Sequence, residues 1–255
     1  MKLLTLARDL RRRKSRDRQG LFVAEGVRAV EELLGSPIGV RGLLAAPALD
    51  ASGRGAALLE RAAGRAVPVL RVGDADFASA ADTESPQGVL AIGETPSHAL
   101  DDVLAAHGAI VVLDALQDPG NVGTILRTAA AFGAAGVVAL PGTVDLWNAK
   151  VVRSAMGALF RLPTVHATAD ELGDRLAARG VPLWAADAAG DPLDGAVVAP
   201  RVAVALGNEG AGLSPALRAR ADRLVAIPIA PGVESLNVAV AAGILLYTLA
   251  QPNGA

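Results

Sequence analysis

Three short stretches of this 255-residue chain join an apolar run to polar residues that a turn would expose. In residues 113–128 the run ends at Pro119-Gly120, and Asn121 stands where it would cap a following helix. Arg127 follows six residues on, among Ile125, Leu126, Ala129 and Ala130. A guanidinium in such company must reach solvent or serve a site. In residues 204–215 glycines surround Glu209, and a turn of this kind bares backbone groups where open α/β sheets bind ligands. In residues 227–243, Ser235 and Asn237 stand at the mouth of an apolar helix. Taken singly, capping accounts for Asn121, Ser235 and Asn237, and a snorkelling surface arginine accounts for Arg127. The absence of cysteine excludes disulfides, thiolate nucleophiles and cysteine-ligated zinc. His98, His107 and His166 lack metal-ligand spacing, so no metal is expected. A dinucleotide fingerprint and a phosphate-binding P-loop are both missing.

Holding such residues requires a layered scaffold, and the composition suits one. Hydrophobic residues make up 52% but aromatics only 3%, so Ala, Val, Leu and Ile must build the core. With 28 glycines, this predicts α/β layers with tight turns. Residues 1–95 read as a small α/β unit. It has a basic helix over 3–14, strands near 20–24, 40–45, 67–72 and 87–92, and helices over 27–34 and 55–63. The composition of residues 93–97 marks a boundary, with a linker over 96–106 and a second domain over 107–255. There the apolar runs 110–113, 136–140, 181–185, 202–206 and 224–229 predict a parallel sheet covered on both faces. The longest apolar segment, 236–250, is short of the roughly 20 residues that span a bilayer. No apolar stretch follows the basic start, so a soluble, cytoplasmic protein is expected. Net charge is only −2, yet the first 20 residues hold eight Lys/Arg against two Asp. Such a cluster either attracts phosphates or is a solvated helix end.

Together, in this order, the three stretches resemble the SpoU/TrmH family of the SPOUT methyltransferases over residues 107–250. Ser154-Ala-Met-Gly-Ala-Leu-Phe-Arg-Leu-Pro163 is also similar to the family, with Met156 where a second small residue is common. The N-terminal unit, with Phe22-Val-Ala-Glu-Gly26, resembles the substrate-binding domain attached to many members. The resemblance implies a C-terminal SPOUT α/β domain with a deep trefoil knot, a small N-terminal α/β RNA-binding domain, and a homodimer. It implies S-adenosyl-L-methionine as cofactor, lined by Leu206, Gly207, Asn208, Gly210, Ile227, Pro228, Ile229, Ser235, Leu236 and Asn237. It places Asn121, Arg127, Glu209, Ser235 and Asn237 in the catalytic site, with Glu209 orienting the Arg127 guanidinium on a phosphate. RNA would be held by Arg127 and by Arg11, Arg12, Arg13, Lys14, Arg16 and Arg18. The expected reaction is methylation of a ribose 2′-hydroxyl of structured RNA, and the extra domain favours ribosomal over transfer RNA. Two alternatives compete with it: a nicotinamide-dependent oxidoreductase, against which the missing fingerprint argues, and a non-catalytic RNA-binding module with a SPOUT-like fold.

Overall fold

The computed structural model describes residues 2–50, 53–193 and 201–250. Its contacts separate into two units, Met1–Pro96 with Asp145–Arg161, and Ser97–Val144 with Leu162–Ala255. In chain order the first unit comprises α1 (Leu3–Asp9), α2 (Arg13–Gln19), β1 (Leu21–Glu25), α3 (Val27–Leu34) and β2 (Val40–Ala45). It continues with α4 (Pro47–Asp50), α5 (Gly55–Gly64), β3 (Val69–Arg71), α6 (Asp74–Ala80) and β4 (Val89–Glu94). The second unit opens with α7 (Leu100–Ala105), β5 (Ile110–Leu113), α8 (Pro119–Ala131) and β6 (Gly136–Ala139). The chain passes back through α9 (Ala149–Ser154), in the first unit, before β7 (Thr164–His166) and α10 (Ala169–Ala178). It ends with β8 (Leu183–Pro192), β9 (Ala203–Leu206), α11 (Pro215–Arg218), β10 (Arg223–Ala226) and α12 (Val238–Ala250).

The first unit is built on a four-stranded sheet ordered β1-β4-β2-β3. β4 is antiparallel to β1 and β2, and β3 is parallel to β2. Gly93, expected at the boundary after the last strand, is instead paired with Phe22 inside the sheet. A Cβ there would come within 2.5 Å of the Phe22 ring, so glycine makes room for the aromatic. The expected linker over 96–106 contains α7, whose Val103 and Leu104 are buried in the second unit's core.

The basic N-terminal segment is two helices, broken at residues 10–12, where a single helix over 3–14 was expected. Arg16 supplies the reason. Its Nη1 donates to the carbonyls of Leu10 and Arg11 at 2.8 and 3.0 Å, taking up groups left open at the end of α1. Its Nε and Nη2 both donate to Asp145 Oδ2, at 2.8 and 2.5 Å. The Arg16 side chain is only 7% exposed. It is therefore a structural residue, not one of the phosphate contacts expected from its place in the basic cluster. Around this pair, Phe22 lies 4.5 Å from the Trp147 ring and 5.7 Å from Phe160. Arg153 of α9 pairs with Glu25 and Asp82. Residues 145–161 are thus integral to the first unit's core.

The second unit is a six-stranded, all-parallel sheet ordered β10-β8-β9-β5-β6-β7. Every residue of β5, β6 and β9 is buried, as expected for strands covered on both faces. From β5 the chain steps outward to β6 and β7, then crosses to the other side for β8, β9 and β10. The switch point lies between β5 and β9, and their carboxyl ends open the crevice where parallel α/β sheets bind ligands.

A buried ion pair stripped of one partner costs about 3–5 kcal/mol, because the remaining charge stays desolvated. Arg16→Ala is therefore expected to destabilise the protein by about that much, measured by urea unfolding. Arg12→Ala, an exposed neighbour, should change stability by no more than about 0.5 kcal/mol.

Candidate active site

Both strands of the switch point end in tightly fixed turns. After β5, buried Asp114 accepts the Ser214 N–H at 2.6 Å, tying this strand end to the turn that follows β9. In that turn Asn208 and Gly212 exchange backbone hydrogen bonds at 2.9 Å. The Asn208 side chain accepts from Gly210 and Ala211 N–H and donates to the Ala115 carbonyl at 2.8 Å. Gly212 has φ +70°, and a Cβ on Gly207 would sit 2.4 Å from the Gly212 carbonyl carbon. These two positions require glycine for geometric reasons.

Asp118, not Asn121, caps α8: its Oδ1 accepts the Asn121 N–H at 2.7 Å, and Pro119 fills the first helical position. The capping role expected of Asn121 is thereby taken over, and its amide is available to the site. Asn237 caps α12 by accepting from the Ala239 and Val240 N–H groups, at 2.9 and 3.3 Å. These backbone donors fix which end of the amide is oxygen, so Nδ2 faces the site and donates to Asn121 Oδ1 at 3.0 Å. Asn121 must then present its own Nδ2, which donates to Glu209 Oε1 at 3.2 Å. Glu209 also accepts from the Gln117 and Asp118 N–H groups at 3.3 and 3.2 Å. Partial desolvation pushes the Glu209 pKa up, but its own backbone N–H, the Asn121 amide and the N–H groups of Asp118 and Gln117 outweigh it. The carboxyl is held below the usual glutamate range.

The relay borders a cavity of about 510 Å³. Its walls include Leu206, Gly207, Ile227, Ile229 and Leu236, and its polar lining includes Asn208, Glu209, Ser235 and Asn237. Gly210 also lines it, whereas Pro228 is exposed and does not. Arg127 is exposed and absent from the lining. Six residues along a helix place it about 9 Å beyond Asn121. Among the described residues no hydrogen bond or ion pair joins Arg127 to Glu209. The Glu209 carboxylate is held by the Gln117 and Asp118 N–H groups, the Asn121 amide and, at 3.5 Å, the Asn208 amide. The expectation that Glu209 orients this guanidinium within one chain is not met. Sequence reading missed Asp114, whose signal was an acidic residue directly after an apolar strand. It also missed Ala186, Asp187 and Ala188, which line the cavity from an excursion in β8.

A parallel α/β sheet with a cavity at the carboxyl ends of β8, β9 and β10, beside the switch point and rimmed by a fixed polar relay, defines a cofactor-binding α/β enzyme class. The chain belongs to the SpoU rRNA Methylase family, whose model matches residues 108–247, and an MRM3-like substrate binding domain matches residues 5–91. It is 36% identical over 241 residues to the 23S rRNA (guanosine(2553)-2'-O)-methyltransferase RlmP of Bacillus subtilis, covering 94% of this chain and 92% of that one. It is 34% identical to the 23S rRNA (uridine(2479)-2'-O)-methyltransferase of Streptomyces viridochromogenes, covering 92% and 84%. Among solved structures it is similar to the SpoU methyltransferase AviRb of S. viridochromogenes in complex with AdoMet, with TM-score 0.85, 31% identity and 98% and 97% coverage. An AdoMet-bound rRNA methyltransferase of Sinorhizobium meliloti matches with TM-score 0.82, 30% identity and 97% and 94% coverage. S-adenosyl-L-methionine is the cofactor of this family site. The cavity suits it: its volume lies within the range of small-molecule sites, with apolar walls for a flat base and polar groups at the rim.

Two outcomes follow. Forcing a methyl into a packed turn costs about 1–3 kcal/mol, so Gly207→Ala should weaken S-adenosylhomocysteine binding roughly tenfold, read by calorimetry. A carboxyl with a lowered folded pKa contributes stability that is complete above its unfolded value and is lost as pH falls through the folded one. Binding should therefore show no acidic limb from Glu209 between pH 8 and about 5. A limb in that window that Glu209→Gln removes would contradict this.

Proposed function

We propose that this protein transfers the methyl group of S-adenosyl-L-methionine to a ribose 2′-hydroxyl of ribosomal RNA, acting as a cytoplasmic homodimer without a metal. The observation that carries this reading is the Asn237–Asn121–Glu209 relay beside the cavity, in a chain of the SpoU family. When bound, the sulfonium of the cofactor makes its methyl the electrophile of an in-line displacement. The chain's own residues supply position and charge. The relay fixes the rim, Ser235 offers a hydroxyl to the incoming ribose, and a guanidinium grips the adjacent phosphate with its planar fork. Arginine does not deprotonate in a protein. Its part is to favour the ribose oxyanion by proximity while the hydroxyl proton passes to solvent water.

Arg127 does not reach its own cavity, which supports a shared site. On α12, Val240, Ile244 and Tyr247 are exposed at helical spacing, and Tyr247 meets exposed Phe132 edge-on at 5.8 Å. A two-fold dimer through this apolar stripe would cover it and bring the partner's Arg127 to the rim. The same reading includes a deep trefoil knot in the C-terminal turns, a methyltransferase domain that takes in α7 where a linker over 96–106 was expected, and an RNA-binding domain over 1–95 to whose core residues 145–161 belong. In the last, Arg11, Arg12, Arg13, Lys14 and Arg18 are exposed and dock phosphates.

In vitro methylation of 23S ribosomal RNA tests the activity, with 2′-O-methyl mapping to locate the product. Arg127→Ala should abolish transfer while S-adenosylhomocysteine affinity stays near wild type, and Arg127→Lys should rescue poorly for want of the bidentate fork. In a shared site, mixing Arg127→Ala with Asn237→Ala chains should restore roughly a quarter of wild-type activity through heterodimers with one intact site. Full activity of Arg127→Ala, or no recovery on mixing, would refute the assignment.

A further inference from the structure

The β8 strand carries a feature that neither the family relation nor the relay explains. Its ladder with β10 pairs Ala185 with Leu224 and then Asp191 with Val225, so residues 186–190 loop out of the sheet with no partners opposite. Ala186, Asp187 and Ala188 of this excursion line the cavity. The loop is pinned at both ends of its course. Gly190 lies on the β10 backbone, where a Cβ would come within 2.6 Å of the Leu224 carbonyl carbon and the Val225 nitrogen. Asp187 is ion-paired through Oδ2 with Arg218, the last residue of α11, and its Oδ1 accepts the Ala189 N–H at 2.9 Å. Its side chain is only 18% exposed.

We infer that Asp187 is a specificity-determining residue that accepts hydrogen bonds from the vicinal hydroxyls of the cofactor's ribose. This rests on the cofactor reading above. A carboxylate has about four acceptor sites, and the two internal partners leave one on each oxygen, the arrangement that suits two adjacent hydroxyls. Charge decides between the donors a nucleoside-amino acid conjugate offers. Arg218 already neutralises Asp187 and would repel an ammonium, so a neutral hydroxyl is the favoured partner. The ammonium has a better counterpart in Glu234, which also lines the cavity, is exposed, and has no ion pair among the described residues. The excursion therefore presents an acceptor of fixed geometry and cancelled charge, which selects hydroxyls over cations.

Calorimetry on the full-length protein tests this with S-adenosylhomocysteine, its 2′-deoxy and 3′-deoxy counterparts, and 5′-methylthioadenosine, which lacks the amino-acid moiety. Asp187→Asn preserves size and an acceptor for Ala189 but gives up the Arg218 ion pair. Arg218→Gln, which loses the same pair and keeps the carboxylate, is therefore measured beside it and should still discriminate against the deoxy compounds. Equal loss of discrimination in both variants would overturn the proposal. Wild type should bind the deoxy compounds roughly ten- to a hundredfold more weakly than S-adenosylhomocysteine. Asp187→Asn should lose a similar factor towards S-adenosylhomocysteine and 5′-methylthioadenosine alike, and should no longer distinguish the deoxy compounds. A variant that binds S-adenosylhomocysteine as wild type does, or still discriminates against the deoxy compounds, would overturn the proposal while leaving the cofactor reading intact. A loss confined to S-adenosylhomocysteine and spared by 5′-methylthioadenosine would overturn it in favour of ammonium recognition. Failure of the wild-type protein to bind S-adenosylhomocysteine would overturn the cofactor reading and this inference together.

Discussion

The Asn121 amide is the joint on which the site depends. Its oxygen takes the Asn237 proton and its nitrogen supplies Glu209, so one side chain connects the start of α8, the start of α12 and the turn after β9. An amide can bridge a donor and an acceptor in this way because it carries both functions in a fixed plane. The direction of the relay is set at its far end, where two backbone N–H groups hold the Asn237 oxygen. At its near end the Gln117 and Asp118 N–H groups and the Asn121 and Asn208 amides converge on one carboxylate, and the first three help to keep it charged. Each partner is defined by the one before it, which is how polar networks acquire a single arrangement.

The relay in turn presupposes the parallel sheet. Only the reversal of strand order between β5 and β9 sets their two exit turns side by side, so that Asp114 can hold Ser214 and Asn208 can hold Ala115. The glycines follow from the same crowding. Gly207 and Gly190 both lie where another strand or turn presses its backbone against them, and any Cβ would displace it. Close backbone approach of this kind leaves flat walls and few side chains in the way, which suits a cofactor recognised through its faces and edges.

The first unit shows a different use of charge. Arg16 and Asp145 are buried together, and the arginine's remaining N–H groups go to carbonyls at the end of α1, so desolvation is met by hydrogen bonds on both partners. Its neighbours in sequence stay at the surface, where salt and water screen them. One run of basic residues is thereby divided between holding the fold and facing outward.

The sequence by itself determined the α/β class, five of the six parallel strands of the second unit and the three polar stretches, because buried parallel strands are continuous apolar runs and glycine turns have few substitutes. β7, with Thr164 and His166 around a single valine, gave no such run. The helix Val27–Leu34 and the strands Val40–Ala45 and Ile110–Leu113 were legible residue by residue. Only the tertiary structure decided what the polar residues do. A cap and a site residue look alike in sequence, and Asn121 was freed for the site because Asp118, three residues earlier, is the cap and accepts the Asn121 N–H, which puts Asn121 inside the first turn of the helix. Arg16 could not be told from Arg12 or Arg13 until Asp145, 129 residues away, was seen beside it. Asp187 was invisible for the same reason: an aspartate after an apolar strand comes to line a cavity only when a bulge, a nearby glycine packed on β10 and an arginine 31 residues away hold it there. Local spacing encodes elements because their hydrogen bonds are local. It cannot encode which of two equivalent charges is buried, since burial is settled by partners that only folding brings near.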